Sequence, residues 1–335
     1  MHGNASLDRV THNALSILTA IGRTDVPVYA GACKPFMRPP VHAPDIHGES
    51  GIDGTSLLPE PTVSPQSGNA FVAMRNAIMA TPPQTSVLVA TGTLTNVALL
   101  LATFPEVAAH LREVSLMGGA FASRPDAKGN IKPWAEFNIY GDPEAARCLL
   151  SDPRLSDRIT IVPLDLTHSV LATPHVLARL RGGPGPGTDS TLRTMLYELL
   201  TYFSDTYMNV FGITAGPPLH DPLAVAVVLP TDEITWQMDR VRVHVVCHGK
   251  QLGMTTADRV PELTPESSPE PAAPESAAAT AMPRVDLGGG VHQPRGVYAM
   301  AKVPRAVDVD AFWDVLLGLV AQADGRYSWP AEQVN

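Results

Sequence analysis

A carboxylate and a carboxamide stand two residues apart in the sequence Trp134-Ala-Glu-Phe-Asn-Ile-Tyr-Gly-Asp-Pro-Glu-Ala-Ala146. On an extended segment, Glu136 and Asn138 project to the same side. A carboxylate accepts hydrogen bonds and a carboxamide both donates and accepts them, so the pair suits a ligand rich in hydroxyls, such as a sugar. A second interpretation carries equal weight: a polar loop that caps the helix predicted from Asp142.

Three other short stretches carry side chains that could take part in chemistry. His220-Asp221-Pro222 opens an apolar helix, where a histidine beside an acid offers a proton donor next to a metal ligand or sugar contact. An acid at a helix N-terminus also has the ordinary role of complementing the helix dipole. His47 lies in a Pro- and Gly-rich loop, as a lid residue or as a solvated histidine. Asn4 precedes the first predicted helix, where it could simply adjoin the cap.

Composition narrows the class of protein. The chain has 335 residues, 44% hydrophobic and 17% charged, which is typical of a globular protein. Its net charge of −9 argues against nucleic acid as a partner, because phosphate binding needs basic surface. No apolar run is long enough to span a bilayer, and the first residues lack the pattern of a signal peptide. The three cysteines form no metal or redox motif, which predicts reduced thiols in a cytoplasmic protein.

Alternating apolar segments predict the scaffold. We expect one α/β domain over residues 1–335, with a doubly wound, mostly parallel sheet and helices on both faces. Ligands in such sheets bind beyond the carboxyl ends of the strands, which is where Thr91, Met117 and the loop to Asn138 fall. The predicted strands are Val26–Ala30, Ser86–Ala90, Glu113–Met117, Ile159–Leu164 and Arg240–Cys247. The predicted helices are Ser6–Ile21, Asn69–Ala80, Asn96–Leu111, Asp142–Leu150, Pro174–Leu180, Ser190–Met208, Leu219–Leu229 and Asp310–Ala323.

One segment differs from the rest in composition. Residues 261–296 repeat Pro, Glu, Ser and Ala, then reach a run of glycines, with almost no large apolar side chains. Such a segment cannot bury enough apolar surface to offset the entropy of ordering. The sequence therefore predicts a disordered insertion in a surface loop, without chemistry of its own.

Taken in order, the motifs resemble those of the inosine/uridine-preferring nucleoside hydrolases, especially the fungal uridine nucleosidase type. Each motif is weak alone, but their order and spacing are hard to obtain by chance. The resemblance covers roughly residues 1–259 and the stretch from about Val297, and it fails in the Pro- and Ser-rich insertion. The matching motifs are His2-Gly-Asn4, Asp25-Val-Pro-Val-Tyr-Ala-Gly31, His47-Gly-Glu49, Val89-Ala-Thr-Gly-Thr-Leu-Thr-Asn96, Leu116-Met-Gly-Gly-Ala120, Gly129-Asn130, Ala135-Glu-Phe-Asn-Ile139, Asp142-Pro-Glu-Ala-Ala146, Leu164-Asp-Leu-Thr-His168, Leu219-His-Asp-Pro-Leu223 and Gly253-Met-Thr255.

The resemblance implies hydrolysis of the N-glycosidic bond of a ribonucleoside, which gives ribose and a free base. It also implies one Ca²⁺ that is held by oxygen ligands, binds the ribose 2′- and 3′-hydroxyls and orients the attacking water. By motif position, the Thr91 carbonyl and Asp221 are the implied calcium ligands, and Asp221 also contacts substrate. The implied ribose contacts are Asn4, Met117, Asn130, Glu136 and Asn138. His220 is the implied donor to the departing base, with His47 near that base.

The sequence departs from the family at one point that matters. The family begins with a strand that runs into Asp-Thr-Asp-Pro-Gly-x-Asp-Asp, and those aspartates supply calcium ligands and the general base. The 335 residues contain no such motif. We therefore expect the first strand, first helix and second strand of the family to be missing, Ca²⁺ binding to be impaired, and little or no hydrolysis. A misplaced start codon or missed exon, a truncated paralogue, and a partner chain that supplies the aspartates are the competing explanations.

Two further hypotheses belong to other classes. A catalytically inactive ribose- or nucleoside-binding protein, with a role in regulation or assembly, would keep the cavity without the reaction. A dinucleotide-binding enzyme is disfavoured because no Gly-x-Gly-x-x-Gly follows a strand. Base preference is expected to depend on the loop around His47 and on the helix that carries Tyr202 and Tyr207. The resemblance implies a homodimer or homotetramer.

Overall fold

The scaffold is a six-stranded sheet with helices on both faces. A computed structural model describes residues 1–121, 128–182, 190–259 and 299–325 of the chain. The strands are β1 (Val87–Ala90), β2 (Glu113–Met117), β3 (Ile159–Val162), β4 (Trp236–Val245), β5 (Thr255–Arg259) and β6 (Met300–Val307). Their order across the sheet is β1-β2-β3-β6-β4-β5.

Helices surround this sheet and alternate with its strands. They are α1 (Leu7–Ala20), α2 (Pro44–His47), α3 (Ala70–Met79), α4 (Thr95–Thr103), α5 (Glu106–His110), α6 (Phe137–Gly141), α7 (Pro143–Leu150), α8 (Leu164–Thr167), α9 (Pro174–Leu180), α10 (Thr191–Phe211), α11 (Asp221–Ala226) and α12 (Val309–Asp324). A short 3₁₀ helix covers Pro153–Leu155. Within the described ranges, no helix combines the length and apolar character that a bilayer crossing requires.

Four strands are parallel, and this confirms the predicted fold class. Parallel pairs join β1 to β2, β2 to β3 and β3 to β6, whereas β4 is antiparallel to both β6 and β5. The register places Ala90 opposite Leu116 and Met117 opposite Val162, so the carboxyl ends of β1, β2 and β3 lie along one edge. β2 and β3 are buried almost throughout, as strands covered on both faces must be.

Two predicted elements were wrong, and proline explains both. Val26–Ala30 forms no strand, and Tyr29 makes only an isolated bridge to Gln66. Pro27 lacks a backbone N–H and cannot donate to a ladder within that segment. The helix predicted over Asn96–Leu111 is two helices, α4 and α5, because Phe104 precedes Pro105 and leaves the helical conformation there, with φ −129° and ψ 74°.

Three predictions about domain organisation are not tested by the described residues. The insertion predicted over residues 261–296 lies outside the described residues. The single domain over 1–335 and the missing family strands both stay predictions.

The buried sheet carries the main stability of the fold, which a matched pair of leucines can test. Leu116 on β2 is fully buried at 0% exposure, whereas Leu319 on α12 is 48% exposed. Leu116→Ala should lower the free energy of unfolding by about 2–5 kcal/mol, from lost apolar transfer and the cavity left behind. Leu319→Ala should change it by about 0.5 kcal/mol or less. Denaturant titration measures both, and equal losses would contradict this assignment of the core.

Candidate functional site

A cavity of about 260 Å³ opens beyond the carboxyl ends of β1 and β2. Thr91 follows β1 and Met117 ends β2, so the parallel register brings both to the cavity wall. Sheets of this type bind ligands at this edge. The cavity is lined by every residue that the sequence predicts for the site: Asn4, His47, Thr91, Met117, Asn130, Glu136, Asn138, His220 and Asp221.

Glu136 lies at the start of a helix, so the extended geometry predicted for Glu136 and Asn138 was wrong. Glu136 is the N-cap of α6, and its carboxylate accepts from the backbone N–H groups of Asn138 at 2.8 Å and Ile139 at 3.1 Å. The free N–H groups of a first helical turn attract a carboxylate and pull the chain into this conformation. Both side chains still line the cavity, and the cap of the helix predicted from Asp142 is also present, with Asp142 as N-cap of α7.

The turn after β2 brings a third donor to Glu136. The Gly119 N–H donates to Oε2 at 3.0 Å, from a backbone with φ 89° that favours glycine. A Cβ atom on Gly118 would lie 3.2 Å from the same oxygen. The two glycines therefore allow the end of β2 to approach the carboxylate closely. The Glu136 side chain is 1% exposed and its carboxylate accepts hydrogen bonds from three backbone N–H groups.

Two asparagines are oriented by bonds to neighbouring backbone. The Asn138 Nδ2 donates to the Met117 carbonyl at 3.1 Å, which anchors the amide to the end of β2. The Asn130 Oδ1 accepts from the Phe137 N–H at 2.8 Å. Each amide thus uses one of its two ends within the protein. The other end remains as a hydrogen-bonding group in the wall of the cavity.

Asp221 is the first residue of α11, a helix that is hydrogen-bonded to β2 of the sheet. The Ser115 hydroxyl on β2 donates to the Ala224 carbonyl of α11 at 2.6 Å, and this bond fixes the helix over the strand. Pro222 at the start of the helix suits the first turn, where an N–H has no partner in the helix. Asp221 is thereby placed at the cavity, at the helix end that favours a negative charge.

The two carboxylates of the cavity are both harder to ionise than exposed acids. Burial first, and then the charge of Glu136, raise the pKa of Asp221 to about 7. Burial also raises the pKa of Glu136, against the lowering effect of its N–H donors. Two acids that share a partly desolvated space are stabilised by a cation or by hydroxyl donors placed between them. The cavity therefore has the electrostatic character of a site for a polyhydroxyl ligand or a cation.

His220 has a partner on each ring nitrogen. Its Nε2 is hydrogen-bonded to the Tyr207 hydroxyl at 2.6 Å and its Nδ1 to the Thr167 hydroxyl at 2.7 Å. Burial, with smaller contributions from His168 and His47, lowers the pKa of His220 to about 3, so the ring is neutral near pH 7. A ligand can thus exchange protons with this histidine only by way of Tyr207 or after breaking a bond.

His47 approaches the cavity from the opposite part of the sequence. It ends α2 and packs edge-on against Phe203, with 5.4 Å between ring centroids. The segment is attached at Ala43, whose N–H donates to the Asn4 carbonyl at 3.0 Å. Burial lowers the pKa of His47 to about 4, so it is also neutral near pH 7.

The aromatic wall was largely missed from the sequence. Leu200, Phe203, Tyr207 and Phe211 line the cavity from α10, at spacings of three and four residues that share one helix face. That spacing could have indicated this face from the sequence, but only Tyr202 and Tyr207 of this helix were predicted to bear on base preference. Tyr202 does not line the cavity and is 40% exposed, whereas Tyr207 is 7% exposed.

The donors present make an incomplete calcium site. Thr91 and Asp221 both line the cavity and can offer a carbonyl and a carboxylate oxygen, which are hard donors, but Ca²⁺ takes about 6–8 oxygens. Among the described residues, no group of three or more His, Cys, Asp or Glu side chains could hold a metal ion. The residues described here therefore do not fit a complete Ca²⁺ site.

The chain is similar to known proteins over most of its length. The family model for inosine-uridine preferring nucleoside hydrolase matches residues 1–314. The chain is 39% identical to uridine nucleosidase from Saccharomyces cerevisiae, over 68% of this chain and 66% of the relative. It is 38% identical to the pyrimidine-specific ribonucleoside hydrolase RihA from Shewanella woodyi, over 77% of each chain.

A solved structure supports the fold independently. The purine-preferring ribonucleoside hydrolase from Gardnerella vaginalis superposes with a TM-score of 0.73 at 24% identity, covering 96% of this chain and 88% of that one. At that identity, the likeness speaks to the fold alone. With the match over residues 1–314 and relatives near 40% identity, this chain belongs to the inosine-uridine preferring nucleoside hydrolase family.

Proposed function

We propose that the cavity binds a ribonucleoside and serves hydrolysis of its N-glycosidic bond to ribose and free base. The proposal rests on one observation: the same cavity is lined by polar side chains and by an aromatic helix face. Carboxylates and amides suit ribose hydroxyls, and the aromatic face of α10 suits a flat base.

Pyrimidine nucleosides are the proposed substrate class. Two relatives near 40% identity are named for uridine or for pyrimidine nucleosides. The helix α10 and the segment with His47 supply the base side of the cavity, since Phe203 packs against His47. Uridine is therefore the first substrate to test, with inosine as the purine comparison.

The proposed ribose contacts are polar groups whose hydrogen-bonding capacity is not fully used within the described part of the protein. Asn130 keeps its Nδ2 for a ligand oxygen, because its Oδ1 accepts from Phe137. Asn138 keeps its Oδ1 for a ligand hydroxyl, because its Nδ2 donates to Met117. Glu136 offers its one remaining lone pair, on Oε1, to a hydroxyl donor, and Asn4 and Met117 complete the wall.

Contact with the departing base is proposed to run through Tyr207, which lines the cavity and whose hydroxyl is bonded to His220 Nε2 at 2.6 Å. The phenol can donate a hydrogen bond to the base while the neutral His220, whose Nδ1 is bonded to Thr167, holds the phenol in place, so His220 acts on the base through Tyr207. The proton that the free base gains comes, in the overall balance, from the attacking water. His47 is proposed to contact the base as a neutral imidazole.

Slow turnover is proposed for the 335-residue polypeptide. Within the described residues, the cavity offers two carboxylates, Glu136 and Asp221. Glu136 is occupied by three backbone N–H groups, and Asp221 is the proposed cation contact with the Thr91 carbonyl. No described carboxylate is then left to take the proton of the attacking water. Weak Ca²⁺ binding follows from the same shortage of oxygen donors.

A nucleoside-binding protein without hydrolysis is the second candidate. The same lining favours it, because ribose contacts and base contacts are present without an evident general base. Binding of uridine without release of ribose, with or without calcium, distinguishes this candidate. The absence of nucleic acid and membrane partners, the homodimer or homotetramer and the cytoplasmic location stay predictions.

Ribose release and ligand binding test the proposal together. Calorimetry should detect uridine binding, and a reducing-sugar assay with Ca²⁺ should give turnover far below about 10 per second, the median for enzymes. Turnover near that median would contradict the slow rate. Absence of both binding and hydrolysis, for uridine and for inosine, would contradict the nucleoside site.

Calcium titration tests the incomplete donor set. The Kd for Ca²⁺ should be about 1 mM or weaker, and Asp221→Asn should remove measurable binding because it neutralises the one carboxylate assigned to the ion. Asp314→Asn is the control, since Asp314 pairs with Arg179 in a different part of the fold. A Kd below about 10 μM would contradict the account of the donors.

Acid stability tests the burial of His47. The folded pKa of about 4 lies below the ordinary value of 6.5, so the unfolded chain binds more protons between those pH values. Stability from this residue is thus complete above pH 6.5 and is lost towards pH 4, by at most about 1.4 kcal/mol per pH unit.

His47→Gln removes that titration. The free energy of unfolding of wild type minus that of the variant should fall as the pH drops from 6.5 to 4. Parallel curves over this window would contradict the buried neutral state. His12→Gln, at a half-exposed position near Glu60, is the control.

A further inference from the structure

Three buried polar side chains outside the cavity form one hydrogen-bonded chain. His2 is 1% exposed, and Thr95 and Asp142 are 0% exposed. His2 Nε2 lies 3.0 Å from the Thr95 hydroxyl, which donates to Asp142 Oδ2 at 2.6 Å. None of the three lines the cavity, so they do not contact a ligand there.

The direction of these bonds is fixed by counting hydrogens. The hydroxyl of Thr95 has one hydrogen, and Asp142 takes it. Thr95 must then accept from His2, so the imidazole carries its hydrogen on Nε2. Asp142 also accepts from the backbone N–H groups of Phe36 at 3.0 Å and Ala145 at 3.1 Å. The carboxylate thus accepts from the helix that it caps and from two other segments of the chain.

Each member of the chain stands close in sequence to a cavity residue. His2 is two residues before Asn4, and Thr95 lies four residues after Thr91. Asp142 directly follows α6, which carries Asn138. These three cavity residues come from separate parts of the sequence, and the buried chain joins their segments behind the cavity wall.

Neighbouring contacts leave the joined segments little room to shift. The Thr93 hydroxyl donates to the His2 carbonyl at 3.1 Å, and the His2 N–H donates to the Ala32 carbonyl at 2.9 Å. A Cβ atom on Gly141 would lie 2.6 Å from the Thr93 Cγ2, so α6 ends in direct contact with the β1–α4 turn. The three segments are packed as a unit.

We propose that His2, Thr95 and Asp142 are positioning residues for the site. They set the ribose contacts Asn4 and Asn138, and the cation contact Thr91, at the spacing required to bind one ribose. This inference rests on the proposed function for its ligand. A site assembled from separate segments loses affinity when one wall moves by about 1 Å, because its hydrogen bonds depend on distance and angle.

A matched pair of variants tests the central link. Thr95→Val keeps the shape of the side chain and removes the hydroxyl, whereas Thr95→Ser keeps the hydroxyl. Uridine affinity, measured by calorimetry on the full 335-residue protein, should weaken by about tenfold or more in Thr95→Val. It should stay within about threefold of wild type in Thr95→Ser.

A second pair covers the case in which Thr95→Val does not fold. His2→Gln retains a terminal N–H donor and should bind uridine within about threefold of wild type, whereas His2→Leu removes the donor and should weaken binding. Affinity that is unchanged in Thr95→Val and His2→Leu, with unfolding free energies reduced, would mean a purely structural role and overturn the proposal.

Hydrogen exchange without ligand separates this proposal from the proposed function. Thr95→Val should speed exchange at the His2 and Ala43 amides, which hold the segment of Asn4, while Thr95→Ser should not. If wild type binds no nucleoside, the proposed function fails, and the exchange data alone decide the network. Unchanged exchange in Thr95→Val would overturn the network in either case.

Discussion

The arrangement of this site depends on the cost of placing two carboxylates, Glu136 and Asp221, in one largely desolvated cavity. Glu136 is fully buried and Asp221 lines the same cavity, where burial and then the charge of Glu136 raise the pKa of Asp221 to about 7. Such a pair persists only with compensating donors or positive partial charge. Glu136 obtains them from three backbone N–H groups, and Asp221 from its place at the start of α11.

Much of the local fold serves that compensation. The glycines after β2 let the strand end reach Glu136, and α6 begins where its first N–H groups can meet the carboxylate. The hydrogen bond from Ser115 to the Ala224 carbonyl fixes the position of α11, and with it Asp221, relative to β2. Outside the cavity, Asp142 caps α7 and accepts a hydrogen bond from Thr95. A third carboxylate therefore stabilises the segments that carry the cavity residues. The acceptor positions that the two carboxylates still have free favour the binding of a hydroxyl-rich ligand in the cavity.

The sequence was sufficient to predict the parallel sheet, and the site residues it singled out line one cavity, although their roles stay predictions. It was less informative about local geometry. Compact apolar runs such as Glu113–Met117 predicted buried strands correctly, since few other structures suit them. Glu136 and Asn138 were expected on an extended segment, because periodicity cannot show that a side chain caps the helix behind it. Phe203 was not singled out from the sequence, since the apolar spacing of α10 does not by itself reveal which helix face meets a cavity. The link from His2 to Asp142 joins residues far apart in sequence, and only tertiary structure brings them together.

The central claim is that side chains from these separate segments converge on one sugar ring. A crystal structure of the 335-residue protein with a non-hydrolysable ribosyl ligand tests it most directly. The account predicts ribose in the cavity, with its hydroxyls within hydrogen-bonding distance of Glu136, Asn138 and Asp221. A ligand bound elsewhere, or ribose in the cavity with these three side chains directed away from it, would contradict the account.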